Sequence, residues 1–299
     1  MSQAHIQTTA ESALIPARPP RGLWTDAWVR LRRNKLALGG GAVILGLFAV
    51  ALLAGILAPR DPTKPDLEAI LEGPGWPYLL GTDALGRDVL SRLIYGAQVS
   101  MTVGVFAQVI YLAVGLPIGA LAGMLGGRFD NLLMRFVDVV YAFPDLLLII
   151  LLRAVFGGSL FMIFLAIGLV HWTTMARLVR GQFLALRERE FVTASRSLGA
   201  TEFWIVTRHL LPNSVNPLIV AVTFGVPQAI FAEAALSYIG IGVTPPTPSW
   251  GSMVQDGYQA IFGFPHLVLF PALAIAATML SFTFLGDGLR DALDPRSRR

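Results

Sequence analysis

Apolar residues along the chain gather into six runs, roughly 36–58, 99–125, 131–152, 159–177, 214–238 and 267–287, separated by polar stretches. A helix of about 20 apolar residues crosses about 30 Å of hydrocarbon. The pattern therefore predicts an all-α, polytopic membrane protein with six transmembrane helices. The first run, Leu36 to Ala58, is too long for the core of a signal peptide and follows a long polar tail, so it reads as a retained anchor. Composition agrees. The 299 residues are 55% hydrophobic and 14% charged, against about 25% charged in soluble domains. The tail, residues 1–35, is polar and Pro/Arg-containing, and its start is expected to be disordered.

The basic residues orient the spans. One side receives Arg18, Arg21, Arg30, Arg32, Arg33, Lys35, Arg128, Arg135, the island 178–213 with Arg177, and Arg290, Arg296, Arg298 and Arg299. The other receives Arg60, Lys64, Arg87, Arg92 and Arg153. The richer side is expected to be cytoplasmic and to hold both termini, including the tail 288–299. The same asymmetry accounts for the net charge of +4 without nucleic acid. The absence of cysteine excludes disulfides, thiol nucleophiles and cysteine-ligated metal.

Two outer loops are long. The first, 59–98, opens with Pro59, Asp61, Pro62 and Pro65 and later reads GTDALGRDVLSRLIYG. There Val89, Leu90, Leu93 and Ile94 recur at helical spacing opposite Asp88, Ser91 and Arg92, which predicts a short helix lying on the outer surface. The second, 239–266, lacks Lys and Arg, and its Pro245, Pro246 and Pro248 predict an extended, stiff stretch. In the second span Gly115, Gly119, Gly123 and Gly127 form one helical ridge where a neighbouring backbone can approach. Pro117, Pro144, Pro227 and Pro271 are expected to kink their spans.

The candidate chemistry is sparse. Neither Lys35 nor Lys64 lies in a phosphate-binding loop, so the chain is not expected to hydrolyse ATP or to be an enzyme. His5, His171, His209 and His266 are scattered and predict no metal or catalytic triad. Ionisable residues inside spans are Asp138, Asp145 beside Pro144, His171 and Glu233. Such residues mark a pathway or gate candidate. Asp138 and Glu233 fall at different depths and are not expected to pair.

The island from Arg180 to Asn213 is the long charged segment of the second half. Leu184, Phe191, Ala194 and Leu198 predict an amphipathic short helix. Gly199 stands where a left-handed cap is wanted. Phe203, Val206 and Leu210 mark a second stripe that Pro212 closes. Composition alone leaves two readings: a basic loop that sets topology, or a helix that docks in a partner's groove.

This segment resembles the cytoplasmic signature of importer-type ABC transporter permeases. In general form that signature is Glu-Ala-Ala, three residues, Gly, nine residues, Ile, one residue, Leu-Pro. Thr193-Ala194-Ser195 takes the first place, Gly199 the glycine, His209 the isoleucine and Leu211-Pro212 the end, so Thr193, Ser195 and His209 are departures. GTDALGRDVLSRLIYGA, DNLLMRFVDVVYAFP, AEAALSYIGIGVTPPTPSWGSM and GDGLRDALDPR resemble the second permease subunit of the dipeptide/oligopeptide/nickel branch. The resemblance implies a type I ABC importer permease fold, with a core over 99–287, in a bacterial cytoplasmic (inner) membrane. It implies a homologous second permease, two ATP-binding subunits that use ATP and Mg, and an extracytoplasmic substrate-binding protein. No cofactor is expected on this chain. The implied ATPase-coupling residues are Glu190, Thr193, Ala194, Ser195, Leu198, Gly199, Ala200, Leu211 and Pro212. The outer loops then offer Asp83, Pro245, Pro246, Thr247, Pro248 and Trp250 as binding-protein contacts. Dipeptides or short oligopeptides lead as substrate; nickel chelates, glutathione and opines belong to the same branch. The alternative is a stand-alone ion-coupled transporter or channel.

Overall fold

The computed structural model describes residues 23–157 and 159–294. The start of the N-terminal tail, with His5, Arg18 and Arg21, and the C-terminal Arg296, Arg298 and Arg299 lie outside them. The described elements are helices, α1 (Leu23–Leu31), α2 (Lys35–Leu52), α3 (Ala54–Leu57), α4 (Val89–Leu125), α5 (Gly127–Tyr141), α6 (Asp145–Phe156), α7 (Leu160–Arg187), α8 (Glu190–Ser197), α9 (Glu202–Ile205), α10 (Leu211–Tyr238), α11 (Trp250–Tyr258) and α12 (His266–Leu293). A π-helical turn, Val206–Leu210, joins α9 to α10. Local chemistry sets several boundaries. The Asn34 side chain accepts from the Ala37 amide at the start of α2, Asp88 from Ser91 at the start of α4, and Ser159 from Met162 at the start of α7. Each satisfies a donor that has no partner within its helix.

Five segments are long and apolar enough to cross a membrane: α2, α4, α7, α9 through α10, and α12. The sixth is the pair α5–α6, bent by 86°. The run 131–152, expected to be one span, therefore breaks. Pro144 lacks an amide and disfavours helix at Phe143, so α5 stops at Tyr141 and α6 restarts at Asp145. Pro117, Pro217, Pro227 and Pro271 lie inside continuous helices.

Other boundaries also differ from expectation. The first run ends as a helix at Leu52, with a separate turn over Ala54–Leu57. The surface helix predicted near Val89 is instead the beginning of α4, a single helix of 37 residues. Its polar residues explain why. Asp88, Ser91 and Arg92 are buried, bonded to protein groups rather than turned towards water. Helix α7 runs past 177 to Arg187, so Leu184 belongs to it and not to the short helix that follows.

The deepest seam joins α4 to α7. A methyl group on Gly115 would lie 2.6 Å from Met175 Cβ and the Trp172 carbonyl oxygen, and one on Gly123 would lie 2.7 Å from Phe183 Cβ. Gly119 similarly abuts Ala176 and Val179, and Gly168 on α7 answers with Ile110 and the Ala107 carbonyl. Lipid is as apolar as a side chain, so close backbone packing of this kind holds membrane helices together. Gly127 does not join the ridge. It opens α5 with φ +59° and faces nothing within 4 Å.

Replacing Gly119 by Ala should lower the thermal unfolding temperature of the detergent-solubilised chain, through overpacking of roughly 1–3 kcal/mol. Gly46→Ala, at a glycine with nothing within 4 Å, is the control and should leave it unchanged or raised. Equal behaviour of the two variants would contradict the seam.

Candidate functional site

Past the end of α7 the chain folds into a small apolar knot. Val192 of α8 is fully buried with Phe183, Ile205 and Leu210. The opposite face of α8 turns outward, with Phe191 40% and Leu198 88% exposed. The apolar face foreseen in the sequence is present, but it is displayed rather than packed on the chain's own core. The end of α8 is a Schellman closure: the Gly199 amide donates to Arg196 O (3.0 Å) and the Ala200 amide to Ser195 O (3.1 Å). Gly199 sits at φ +85°, the left-handed geometry glycine tolerates. Thr201 then caps α9 through the Trp204 amide.

The second stripe is corrected. Ile205 and Leu210 point inward, whereas Phe203 is 77% exposed. Phe203, Val206 and Leu210 would share a face on a regular α-helix, and the π-helical turn shifts that register. The half-exposed Trp204 joins Leu198 around a concavity of about 390 Å³ lined by Ser195, Leu198, Gly199, Ala200, Thr201 and Trp204. Glu190, Thr193, Ala194 and Pro212 are exposed, and Leu211 is partly buried.

Two of the three departures from the signature meet each other. The Ser195 hydroxyl donates to the Phe191 carbonyl at 2.8 Å and lies 3.0 Å from His209 Nε2. His209 is held between the rings of Phe191 and Trp204, with centroids at 5.6 and 5.0 Å. Across the Gly199 turn, Arg196 donates twice to Glu202, at 2.8 and 3.2 Å. That carboxylate raises the guanidinium pKa above its ordinary value. Behind the knot, Arg180 forks onto Asp130 and Arg177 binds Asp138 at 2.6 Å, fastening α5 to α7.

The intramembrane acids are dispersed. Asp138 is engaged by Arg177. Asp145 opens α6 directly after Pro144, its side chain 60% exposed, with His171 Nε2 3.7 Å away. It therefore sits at a break, not in the middle of a span. Glu233 is fully buried and accepts from Ser237 (2.7 Å) and Ser100 (3.4 Å). Asp138 and Glu233 keep separate partners.

At the opposite end from the knot, three expected contact residues prove to be internal. Asp83 is 6% exposed and accepts from Arg87 Nε at 2.7 Å; Arg92 Nε lies 3.4 Å away. Both arginines also reach Asp256 Oδ2, at 3.1 and 2.9 Å. This ion cluster joins the two outer loops, and burial of the arginines requires the carboxylates inside. Trp250 is 1% exposed and donates to the Leu93 carbonyl, and Pro248 is also buried. Pro245, Pro246 and Thr247 remain exposed. They form a turn rather than an extended stretch, because Ser249 and Ser252 close a reciprocal capping box that leads straight into α11. The role of Asp256 had a signal in the sequence: an acid in a loop without Lys or Arg, facing a loop that carries three arginines, Arg60, Arg87 and Arg92.

The described residues form a bundle of helices long and apolar enough to cross a membrane, with an exposed apolar knot at one end. Residues 115–299 match the family of binding-protein-dependent transport system inner membrane components, and residues 22–74 match the N-terminal transmembrane domain of oligopeptide transport permease C. The chain belongs to this family of ABC importer permease subunits, multi-pass proteins of the bacterial inner membrane. It is 44% identical to the dipeptide transport system permease protein DppC of Bacillus subtilis, over 94% of this chain and 88% of that one. It is 42% identical to the oligopeptide transport system permease protein OppC of the same organism, over 93% and 91%. It is 37% identical to the glutathione transport system permease protein GsiD of Pectobacterium atrosepticum, over 98% of each. Its fold is that of a chain of the MetNI methionine ABC transporter in an inward-facing conformation, with TM-score 0.56 at 20% identity, over 68% of this chain and 96% of that chain.

Two outcomes follow from the geometry. In the assembled importer, Ser195→Ala and His209→Ile should each reduce ATP-driven uptake several-fold, whereas the double variant, which restores the general signature at both places, should recover most of it. Additive losses would show that the two residues act separately. Asp83→Ala should destabilise the chain by roughly 3–5 kcal/mol, because it leaves two buried arginines short of a carboxylate; a thermal unfolding shift of at least several degrees checks it.

Proposed function

We propose that this permease subunit imports dipeptides or short oligopeptides and that residues 188–213 couple it to an ATP-hydrolysing subunit. The observation that carries the coupling reading is the outward display of Leu198 and Trp204 around a glycine-set concavity, with Phe203 exposed on the same short helix as Trp204. Large apolar side chains grouped on a rigid turn are what a partner's groove takes up. Val192 anchors α8 from below, so force applied to the exposed face passes through Phe183 into α7. The Arg196–Glu202 pair and the Ser195–His209 contact hold the two short helices at one angle. A partner shifts the balance between inward- and outward-facing states only by binding them differently, and Thr193 to Leu198 are the residues assigned to that contact.

In this reading the knot is cytoplasmic, as the distribution of basic residues favours, and both termini lie on the same side. A homologous permease completes the pathway, two ATP-binding subunits use ATP and Mg, and a substrate-binding protein docks on the outer face. On that face Pro245, Pro246 and Thr247 are the surface available for docking. Asp145 lines the pathway; Glu233 is a strut that holds α4, α10 and the start of α11 through serine hydroxyls. The peptide assignment draws on the similarity to DppC and OppC. Glutathione, a tripeptide, is the second reading, favoured by the similarity to GsiD.

Proteoliposomes containing the whole importer test this. Labelled dipeptide uptake should require ATP, persist with a protonophore, and be outcompeted by dipeptide more strongly than by glutathione. Gly199→Val should suppress uptake at unchanged membrane abundance, since φ +85° costs a β-branched residue about 1–2 kcal/mol. Space around Gly199 is open, so the strain is in the backbone alone. Gradient-driven uptake without ATP would instead identify a stand-alone transporter.

A further inference from the structure

The polar turn that leads into the first membrane-crossing helix carries charge that the chain itself does not use. Helix α2 begins at Lys35 and runs for 18 residues. At 1.5 Å per residue that is about 27 Å, close to the thickness of the hydrocarbon. Lys35 therefore stands at the edge of the apolar layer, and Arg32 and Arg33, in the turn before it, fall at the level of the headgroups. All three side chains are exposed. Among the described residues none of the three has an ion-pair partner, and the Arg32 guanidinium lies 4.7 Å from the centroid of the Trp28 ring.

Helix α1 fixes where this charge sits. Its Ala27 is buried, and its Leu31 packs where Gly288 of α12 leaves room: a methyl group on Gly288 would lie 3.3 Å from Leu31 Cδ1. Arg30 Nη1 donates to the Asp294 carbonyl at 3.4 Å. The helix is thus fastened to the end of α12. Trp24 and Trp28, one turn apart, are 61% and 50% exposed. At about 100° per residue they lie beside the Ala27–Leu31 stripe, so they extend the apolar surface of the bundle outward. An indole has an apolar body and one N–H donor, which suits the boundary between hydrocarbon and water. Water alone would leave two indoles bare, and hydrocarbon alone would strand three cations. The headgroup layer accommodates both.

We propose that α1 lies along the membrane surface and that Arg32, Arg33 and Lys35 form a binding site for the phosphate headgroup of an anionic phospholipid. The phosphodiester offers acceptor oxygens to two guanidinium groups and an ammonium, while Trp24 and Trp28 rest on the first carbons of the acyl chains. An anionic headgroup is favoured over a zwitterionic one, because choline or ethanolamine would bring a fourth cation to three. The attraction is of the kind that draws basic segments next to a span onto an anionic leaflet. Since α1 is fastened to α12, a lipid held here also holds the end of that helix at the surface. The site is independent of what the importer carries.

The full chain, purified in detergent, is supplied with equal amounts of phosphatidylglycerol and phosphatidylcholine of matched acyl chains, and the retained lipids are counted by native mass spectrometry. The wild type should retain phosphatidylglycerol preferentially; equal retention of the two would overturn the proposal. Arg32→Gln, Arg33→Gln and Lys35→Gln together should lower the preference at least about tenfold at an unchanged unfolding temperature, and Arg32→Lys with Arg33→Lys should keep most of it. The exposed Arg128, Arg135 and Arg189, changed together to Gln, are the control. An equal loss in that variant would mean general attraction by charge and no site. Displacement of the retained phosphatidylglycerol by excess inorganic phosphate would identify a free-anion site and overturn the lipid assignment. Because the chain has no cysteine, a bimane at Thr25→Cys reports how α1 is seated in vesicles of the same two lipids. A lipid with a nitroxide near its headgroup should quench it more than aqueous iodide does. The reverse order would place α1 in water, open to a protein partner, and would overturn the proposal.

Discussion

The close approach of α4 and α7 is the constraint from which the rest of the molecule follows. In hydrocarbon there is no hydrophobic force between helices, so contact area at short range has to supply the attraction. Gly115, Gly119, Gly123 and Gly168 let the two backbones come close enough for the Met175, Val179 and Phe183 side chains to lie over bare glycine. Both helices extend beyond the seam. At one end α7 runs on to Arg187 and delivers the chain to the apolar knot; at the other α4 begins at Val89, among the long loops. A single packing seam thereby connects the two ends of the bundle.

Polar groups are placed around this seam so that each has a use. Arg177 and Arg180 bring α5 against α7 through Asp138 and Asp130, and Arg87 and Arg92 join the outer loops through Asp83 and Asp256. These ion pairs are better regarded as registration than as a reserve of stability. Desolvation offsets much of their attraction, while loss of one partner is severe. Glu233, bonded to serines of α4 and α10, belongs to the same class of internal ties. Asp145 differs: it is exposed, at a helix break, with His171 Nε2 3.7 Å away.

The apolar knot departs from the general family signature at two positions that meet. Where the general signature has two apolar residues, this chain has Ser195 and His209, and they lie within hydrogen-bonding distance of each other between two aromatic rings. Gly199 is under a stricter demand, because its constraint comes from backbone sterics that no neighbouring side chain can relieve.

The six apolar runs, the glycine ridge, the Gly199 break and the family signature were all legible along the chain, because each depends on residues near in sequence. Span length reads from hydropathy, ridge spacing from helical period, and a left-handed cap from the lack of a side chain. Other features arose only on folding, since they depend on residues far apart. Asp83 and Trp250 looked like surface residues until Arg87, Arg92 and the Leu93 carbonyl were brought to them. Whether the second apolar stripe faced in or out depended on a π-helical turn of five residues, Val206–Leu210, that no periodicity announces. The approach of Asp145 to His171, from two separate helices, was likewise invisible in order of sequence. The chain itself determined what can cross a bilayer and where it turns; the tertiary structure decided which polar groups are tied and which are left open, because burial and partnership are properties of neighbours in space.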